Sequence, residues 1–227
     1  EDPTPSGSGG DHGTSVAGII AAVGWNDLGG RGVAPNASIK GFNFLSAQTD
    51  SNWISTFGGE TYSSDIDVFN FSAGIYRRYF STASSTEENT VGSTITSLRG
   101  GKGAILVKSA GNDFDADING APYPSGSICG NDANNGLSCH DVNLDPLHKY
   151  PTVFVVGAIA ADGKKSSYSS VGSSIWISAP GGEVGKHTNY FGAAAGVDVE
   201  PAIMTTDLQS CSKGYVNQYK YNAFNDS

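Results

Sequence analysis

Two short polar segments hold the residues best suited to chemistry. His12 lies in GGDHGTSVAGIIAAVG, just before a run of apolar and small residues, and Asn112 ends the segment VKSAGN. A histidine at a helix start is suited to general-base catalysis near neutral pH, although an ordinary helix-start hydrogen bond is the plainer interpretation. Asn112 lies at the carboxyl end of a predicted strand, where ligands gather in parallel sheets, although AGND is also a common turn. Neither residue by itself decides between these interpretations.

Two helices are predicted around these segments. Over residues 12–23, apolar residues recur at i, i+3, i+4 and i+7, which is the spacing of one helical face. A second set with helical spacing begins at Val91, continues through Ile95 and Leu98, and is closed by Gly100-Gly101. The first helix carries His12 at its start, so its entrance fixes where the imidazole lies.

Short apolar runs predict the strands of a parallel sheet. They cover residues 38–45, 66–74, 104–112 and 152–160. Strands separated by helical segments are typical of an α/β domain with right-handed crossovers. Ligands and catalytic groups gather at the carboxyl ends of such strands. We therefore expect the ends of the second and third runs to lie at a functional edge of the sheet.

Charge and hydrophobic patterning exclude two classes of partner. The chain has 227 residues with 22 acidic and 13 basic side chains, a formal net charge of -9. Such a charge repels nucleic-acid phosphates, so we predict no nucleic-acid partner. No apolar run approaches the roughly 20 residues that a spanning helix needs, so we predict no membrane span in this chain.

Seven segments, in order, resemble motifs of the subtilisin-like serine proteases, the subtilases. DHGTSVAGIIAA resembles the histidine motif, and GRGVAPNASI resembles the segment after its helix. DVFNFSAG is similar to the substrate-lining strand, and VKSAGND is similar to the oxyanion segment. YPTVFVVGAI, YSSVGSSIWISAPGG and PAIMTTD match the downstream strands. The resemblance extends from about residue 9 to residue 206 and leans toward the kexin-like or related bacterial branches.

The resemblance implies a fold, a reaction and a set of site residues. It implies a three-layer α/β domain over 1–227, with a mostly parallel central sheet flanked by helices, and a serine endopeptidase that acts through an acyl-enzyme. His12 would be the general base of the triad, and Asn112 would donate a hydrogen bond to the oxyanion. The residues expected to bind the substrate are Ser72, Ala73, Gly74, Ser109, Ala110 and Gly111.

The triad aspartate and serine have no match in this sequence. Asp11 adjoins His12, and we expect it to stabilise the helix N-terminus rather than to orient the imidazole. The chain begins at Glu1 and its one methionine is Met204. We therefore expect an incomplete catalytic domain that lacks the first strand and the nucleophile helix and is inactive alone. A catalytically inactive subtilase-like binding or scaffold module is the alternative, and a calcium-dependent surface adhesin is a third interpretation.

The remaining expectations concern ions, cysteines and partners. No cofactor is required for the predicted chemistry, and metal ligands stay undetermined. Subtilases often bind structural calcium, and the candidate ligands are Asp113, Asp115, Asp117 and Asn119. A solvated acidic loop is the alternative. Cys129 and Cys139 could close a local disulfide, leaving Cys211, and three free thiols are the alternative. The spacing of Cys129, Cys139, His140 and His148 fits no established zinc site. We expect a secreted or cell-envelope monomer that acts on proteins or peptides.

Overall fold

The chain separates into two compact units. One comprises residues 1–47 and 184–227, and the other comprises residues 48–183. The residues that the computed structural model describes are 11–74, 80–114, 135, 137–183 and 201–209. A single domain over 1–227 stays a prediction. Within the described ranges, no helix has the length and apolarity needed to cross a membrane.

A four-stranded parallel sheet forms the core of the second unit. Its strands follow one another in space as they do in sequence: β1 (Val68–Phe71), β2 (Ile105–Ser109), β3 (Val153–Ile159) and β4 (Ile177–Pro180). The inner strands are rich in Val, Ile and Leu, and along each of them buried residues alternate with more exposed ones, so one face of the sheet is buried more deeply than the other. The strands predicted within 66–74, 104–112 and 152–160 are therefore confirmed in shorter form, and so is the α/β class.

The predicted second helix is confirmed and begins earlier than predicted. It begins as α3 (Ser85–Asn89), passes through a π-helical turn and ends as α4 (Ile95–Gly101). A capping box fixes its start, because Ser84 Oγ accepts from the Glu87 amide at 3.2 Å and the Ser84 amide donates to Glu87 Oε2 at 2.7 Å. The predicted face is buried, and the chain leaves the helix through glycines with positive φ.

Among the described residues of the second unit, one α-helix and a short 3₁₀ helix, Val142–Leu144, were not predicted. Helix α2 (Asp50–Thr56) is capped by the Thr49 hydroxyl, and its Trp53 ring lies 4.4 Å from Phe57 between centroids. Phe57 in turn lies 5.6 Å from Phe69 of β1, so an aromatic cluster packs this helix against the sheet. Seven residues are too few for a periodic apolar pattern, and the only local signal is the capping threonine.

In the first unit, α1 (Asp11–Ala21) confirms the first predicted helix but ends earlier than predicted. The amides of residues 32–34 donate to the carbonyls of Ala22, Ile19 and Ile20 at 2.7–2.9 Å. The following segment thus supplies the donors that the last carbonyls of a helix lack. Val23, predicted on the apolar face, lies beyond the helix and is exposed.

The predicted strand over 38–45 is wrong. This segment contains no strand, and its end forms a 3₁₀ helix, Phe44–Ser46, in which Phe44 is buried. A strand requires a neighbouring backbone to pair with. The described residues of the first unit include no β-strand with which the segment 38–45 could form a sheet.

Candidate active site

The predicted base, His12, is the second residue of α1, and it is exposed. The buried Asp11 carboxylate accepts a hydrogen bond from the His12 main-chain amide at 3.0 Å. Asp11 therefore satisfies one of the amides at the helix start and places negative charge at the positive end of the helix dipole. This is the role predicted for Asp11 at the helix N-terminus.

The first turns of α1 are anchored to a second segment of their unit. Ser15 Oγ donates to the Thr206 carbonyl at 2.9 Å, and Thr206 Oγ1 donates to the Thr14 carbonyl at 2.7 Å. Thr205 Oγ1 donates to the Ser15 carbonyl at 2.6 Å. A side chain at Gly18 would collide with both threonine hydroxyls. The histidine motif is thus small and polar on this side because the segment that contains Thr205 and Thr206 approaches it closely.

The six predicted substrate-binding residues lie where β1 and β2 end in the second unit. The two strands are parallel and pair Phe71 with Lys108, so Ser72–Gly74 and Ser109–Gly111 leave the sheet at the same edge. A small cavity of about 20 Å³ opens there, lined by Gly74 and all of Ser109–Gly111. The structure therefore brings four of the six residues together, with Ser72 and Ala73 immediately before Gly74.

Asn112 follows the carboxyl end of β2 and is exposed, between two residues that line this cavity, Gly111 and Asp113. Gly111 has φ +101°, a left-handed conformation that favours glycine. The segment is fixed at both ends, because the Ala110 amide donates to the Val156 carbonyl at 2.9 Å and the Phe114 amide donates to the Tyr168 carbonyl at 3.1 Å. An amide held in this way can donate to a ligand at the sheet edge.

An ion pair that was not predicted lies beside Gly74. The Lys108 side chain is 1% exposed, and its Nζ lies 2.6 Å from Asp145 Oδ2. The same Nζ donates to the Ala73 carbonyl at 2.7 Å, which ties the predicted substrate-binding segment to β2. The Leu147 amide donates to Asp145 Oδ1 at 3.0 Å. The sequence signal was a lysine inside an apolar strand, since a buried ammonium requires a partner.

His148 completes this buried cluster. Its Nδ1 lies 2.8 Å from the Val142 carbonyl, which can only accept, so Nδ1 carries a proton. Its Nε2 lies 3.8 Å from Asp145 Oδ2. Burial lowers the pKa of His148, the Lys108 charge lowers it further, and Asp145 acts in the opposite direction.

The two charged members of the cluster also have shifted pKa values. Burial lowers the pKa of Lys108, against the attraction of the Asp145 carboxylate. Burial opposes ionisation of Asp145, but the Lys108 and His148 charges outweigh it and hold the Asp145 pKa below its usual value. The cluster thus keeps a carboxylate beside the cavity.

Lys108→Met in the complete protein is expected to lower the free energy of unfolding by about 3–5 kcal/mol, because it leaves the buried Asp145 carboxylate without its counter-charge. Lys149→Met is the matched control. Its pair with Glu88 is 3.2 Å long and exposed to solvent on each side, so its loss should cost much less stability than the loss of Lys108. Denaturant unfolding of both variants is the measurement. Equal losses of unfolding free energy in the two variants would contradict the claim that burial makes the Lys108–Asp145 pair more important than the exposed pair.

His148 predicts a pH dependence of stability. Because the folded-state pKa of His148 is lowered, the unfolded chain takes up this proton at a higher pH than the folded chain does. The free energy of unfolding should therefore be retained above about pH 6.5 and decline as the pH falls below it. The lowered pKa of Asp145 adds a further loss only below about pH 4. His148→Asn should flatten the slope between pH 7.5 and 5, and an unchanged slope would contradict this assignment.

The predictions for ions and cysteines fall partly outside the described residues. Cys139 is disulfide-bonded, so it is not a zinc ligand, and its pairing with Cys129 rather than Cys211 stays a prediction because both lie outside those residues. Of the calcium candidates, Asp113 is described and buried, whereas Asp115, Asp117 and Asn119 are not described. Among the described side chains, no group of three or more His, Cys, Asp or Glu residues could hold a metal ion.

Several known proteins are similar to this chain in sequence, and a solved structure is also similar in fold. The Aeromonas extracellular serine protease of Aeromonas sobria is 39% identical over 222 residues, which cover 95% of this chain. Subtilisin NAT of Bacillus subtilis subsp. natto is 30% identical over 183 residues, which cover 79% of this chain. The solved structure of the serine protease of Aeromonas sobria covers 94% of this chain with a TM-score of 0.77 and 36% identity.

This chain corresponds to part of the length of these relatives. It spans 32% of the Aeromonas sobria sequence, 39% of subtilisin NAT and 34% of the solved Aeromonas sobria chain. The family model described as the subtilase family matches residues 1–226, which is nearly the whole chain. Ordered motifs, a parallel sheet and this match agree, and the chain belongs to the subtilase family.

Proposed function

We propose that the complete protein is a serine endopeptidase, and that this chain supplies its general base and its oxyanion donor. The observation that carries the proposal is the position of Asn112, exposed at the carboxyl end of β2 between two residues that line the cavity. Parallel sheets bind their ligands at this edge. The named relatives are serine proteases, which supports the same reaction.

The proposed mechanism assigns one task to each group. His12 takes the proton from a serine hydroxyl as that oxygen attacks the peptide carbonyl, and then returns the proton to the leaving amine. The Asn112 amide donates to the oxyanion that forms on the attacked carbonyl. Water then hydrolyses the acyl-enzyme by the same proton transfers. The serine and the aspartate that orients His12 belong to parts of the protein outside this chain.

The substrate is proposed to bind as an extended strand. The main chain of Ser72–Gly74 would pair with the substrate backbone, and Ser109–Gly111 would form a wall of the pocket for the residue before the cleaved bond. Lys108 supports the first of these segments through the Ala73 carbonyl. Gly74 lets the Lys108–Asp145 pair approach this segment closely, since a Cβ at Gly74 would lie 3.3 Å from both Lys108 Nζ and Asp145 Oδ2. At Gly111 a Cβ would lie 3.3 Å from Ser170 Oγ.

The setting of this activity is also a proposal. We propose a secreted or cell-envelope monomer that cleaves proteins or peptides, because the Aeromonas sobria relative is named an extracellular protease. The chemistry requires no cofactor, and the acidic segment from Asp113 to Asn119 is a candidate for structural calcium. The chain alone should show only the residual rate enhancement of binding and the oxyanion site, about 10³–10⁴ over water.

Hydrolysis of a protein substrate tests this function. The purified complete protein should release peptides from casein, and a serine-directed sulfonyl fluoride should abolish the release. A folded protein that releases no peptides would contradict the proposal and favour the inactive binding module. The presence of inhibitor-resistant hydrolysis would contradict the serine mechanism while leaving a peptidase.

A further inference from the structure

We infer that Ser170 is a positioning residue for the oxyanion amide, because it hydrogen-bonds the residues on both sides of Asn112. Its amide donates to the Gly111 carbonyl at 3.1 Å. Its hydroxyl oxygen accepts from the Asp113 amide at 3.2 Å. Asn112 is the one residue between these two attachment points. This inference rests on the proposed function and extends it to a residue with no direct contact to the reaction.

Burial makes these two bonds effective. Ser170 is 2% exposed and Asp113 is 5% exposed, whereas Asn112 between them is exposed. Buried hydrogen bonds are shielded from competition by water, so their loss leaves a main-chain amide unsatisfied. The attachment therefore restrains the backbone of Asn112 while leaving its side chain available to a ligand.

The conformation of Gly111 places Ser170 at this point. The positive φ of Gly111 turns the chain away from β2, so that its carbonyl meets the Ser170 amide. A Cβ at Gly111 would lie 3.3 Å from Ser170 Oγ, in tight contact. The glycine thus serves the close approach of Ser170 as well as the turn.

Positioning of this kind matters for the oxyanion donor. A donor stabilises the transition state only if it already lies within hydrogen-bonding distance of the oxygen on which charge develops. A displacement of about 1 Å can cost about 10²-fold in rate. The Ser170 hydroxyl should therefore affect kcat more than KM, because the oxyanion forms after the substrate has bound.

Ser170→Ala in the complete protein removes the hydroxyl and keeps the amide bond to Gly111. We expect kcat on a peptide substrate to fall about tenfold, with KM changed by less than about twofold. Ser63→Ala is the matched control, because Ser63 is also buried and its hydroxyl also accepts main-chain amides, those of Gly58 at 3.2 Å and Glu60 at 3.4 Å. The Ser63 hydroxyl also donates to the Ser55 carbonyl at 2.7 Å, so Ser63→Ala should be destabilised at least as much as Ser170→Ala but keep its kcat.

A double-mutant cycle with Asn112→Ala gives the sharper result. If Ser170 acts through Asn112, then Ser170→Ala should lower kcat no further once the amide is gone. Equal kcat values for Ser170→Ala and Ser63→Ala, or an undiminished effect of Ser170→Ala in the Asn112→Ala background, would overturn this inference alone. An inactive but folded wild-type protein would overturn the proposed function together with it.

Discussion

Replacing His12 with alanine in the complete protein is expected to lower kcat by about 10⁶-fold, a size taken from the histidine of a subtilisin triad rather than derived from this chain. The physical reason is that no other group accepts the proton of the serine as it attacks, so the nucleophile stays a neutral hydroxyl. Hydrolysis of a chromogenic peptide, measured at saturating substrate, gives the value of kcat.

Two further variants separate chemistry from damage to α1. His12→Gln keeps a polar side chain of similar length without a base, and it should lose as much activity as the alanine variant. Ser15→Ala removes the hydroxyl that donates to the Thr206 carbonyl at 2.9 Å but leaves the imidazole in place. It should lower kcat by less than about tenfold, as expected for a loss of anchoring alone. A His12→Ala enzyme that keeps a tenth of its activity would contradict the role of His12 as base.

Replacing Asn112 with alanine is expected to lower kcat by about 10²–10³-fold with little change in KM. This size is that of the corresponding asparagine in a subtilisin. The side chain is exposed, and the segment around it is held by hydrogen bonds of the neighbouring main-chain groups, so its removal should cost little stability. The selective loss of kcat follows because the oxyanion exists in the transition state and not in the bound substrate.

Asn89→Ala is the control for this substitution. Asn89 is also exposed, ends helix α3 and makes no side-chain capping bond, so its replacement should leave both kcat and KM unchanged. A rise in KM with an unchanged kcat for Asn112→Ala would show that the amide binds the substrate in its ground state. That result would remove Asn112 from the oxyanion site.

Much of the sheet could be predicted from the sequence, because β1, β2 and β3 lie within short, mainly apolar runs. β2 and β3 are short and rich in β-branched residues, and the helical segment before β2 favours a parallel sheet with crossover connections. The segment 38–45 has a similar pattern and still forms no strand, since pairing depends on a neighbour that a local pattern does not report. Helix α2 was missed for the related reason that aromatic packing against β1 stabilises it.

The candidate site also contains residues that the sequence indicated and residues that it did not. His12 and Asn112 were found because each lies in a motif with a recognisable order of residues. Lys108 and Asp145 are 37 positions apart. Ser170 is at least 57 positions from the residues that it bonds on both sides of Asn112, so no local signal connects either set of partners. A lysine within an apolar strand shows that a partner is needed without showing which residue provides it.

Labelling with a fluorophosphonate probe tests most directly whether this chain supplies the base and oxyanion donor of a serine protease but not its nucleophile. The probe phosphonylates an activated serine, so the complete protein should be labelled, and its His12→Ala variant should be labelled far more slowly. The 227-residue chain alone should stay unlabelled. Labelling of the isolated chain would contradict the assignment of the nucleophile to another part of the protein, and a folded but unlabelled complete protein would contradict the serine protease itself.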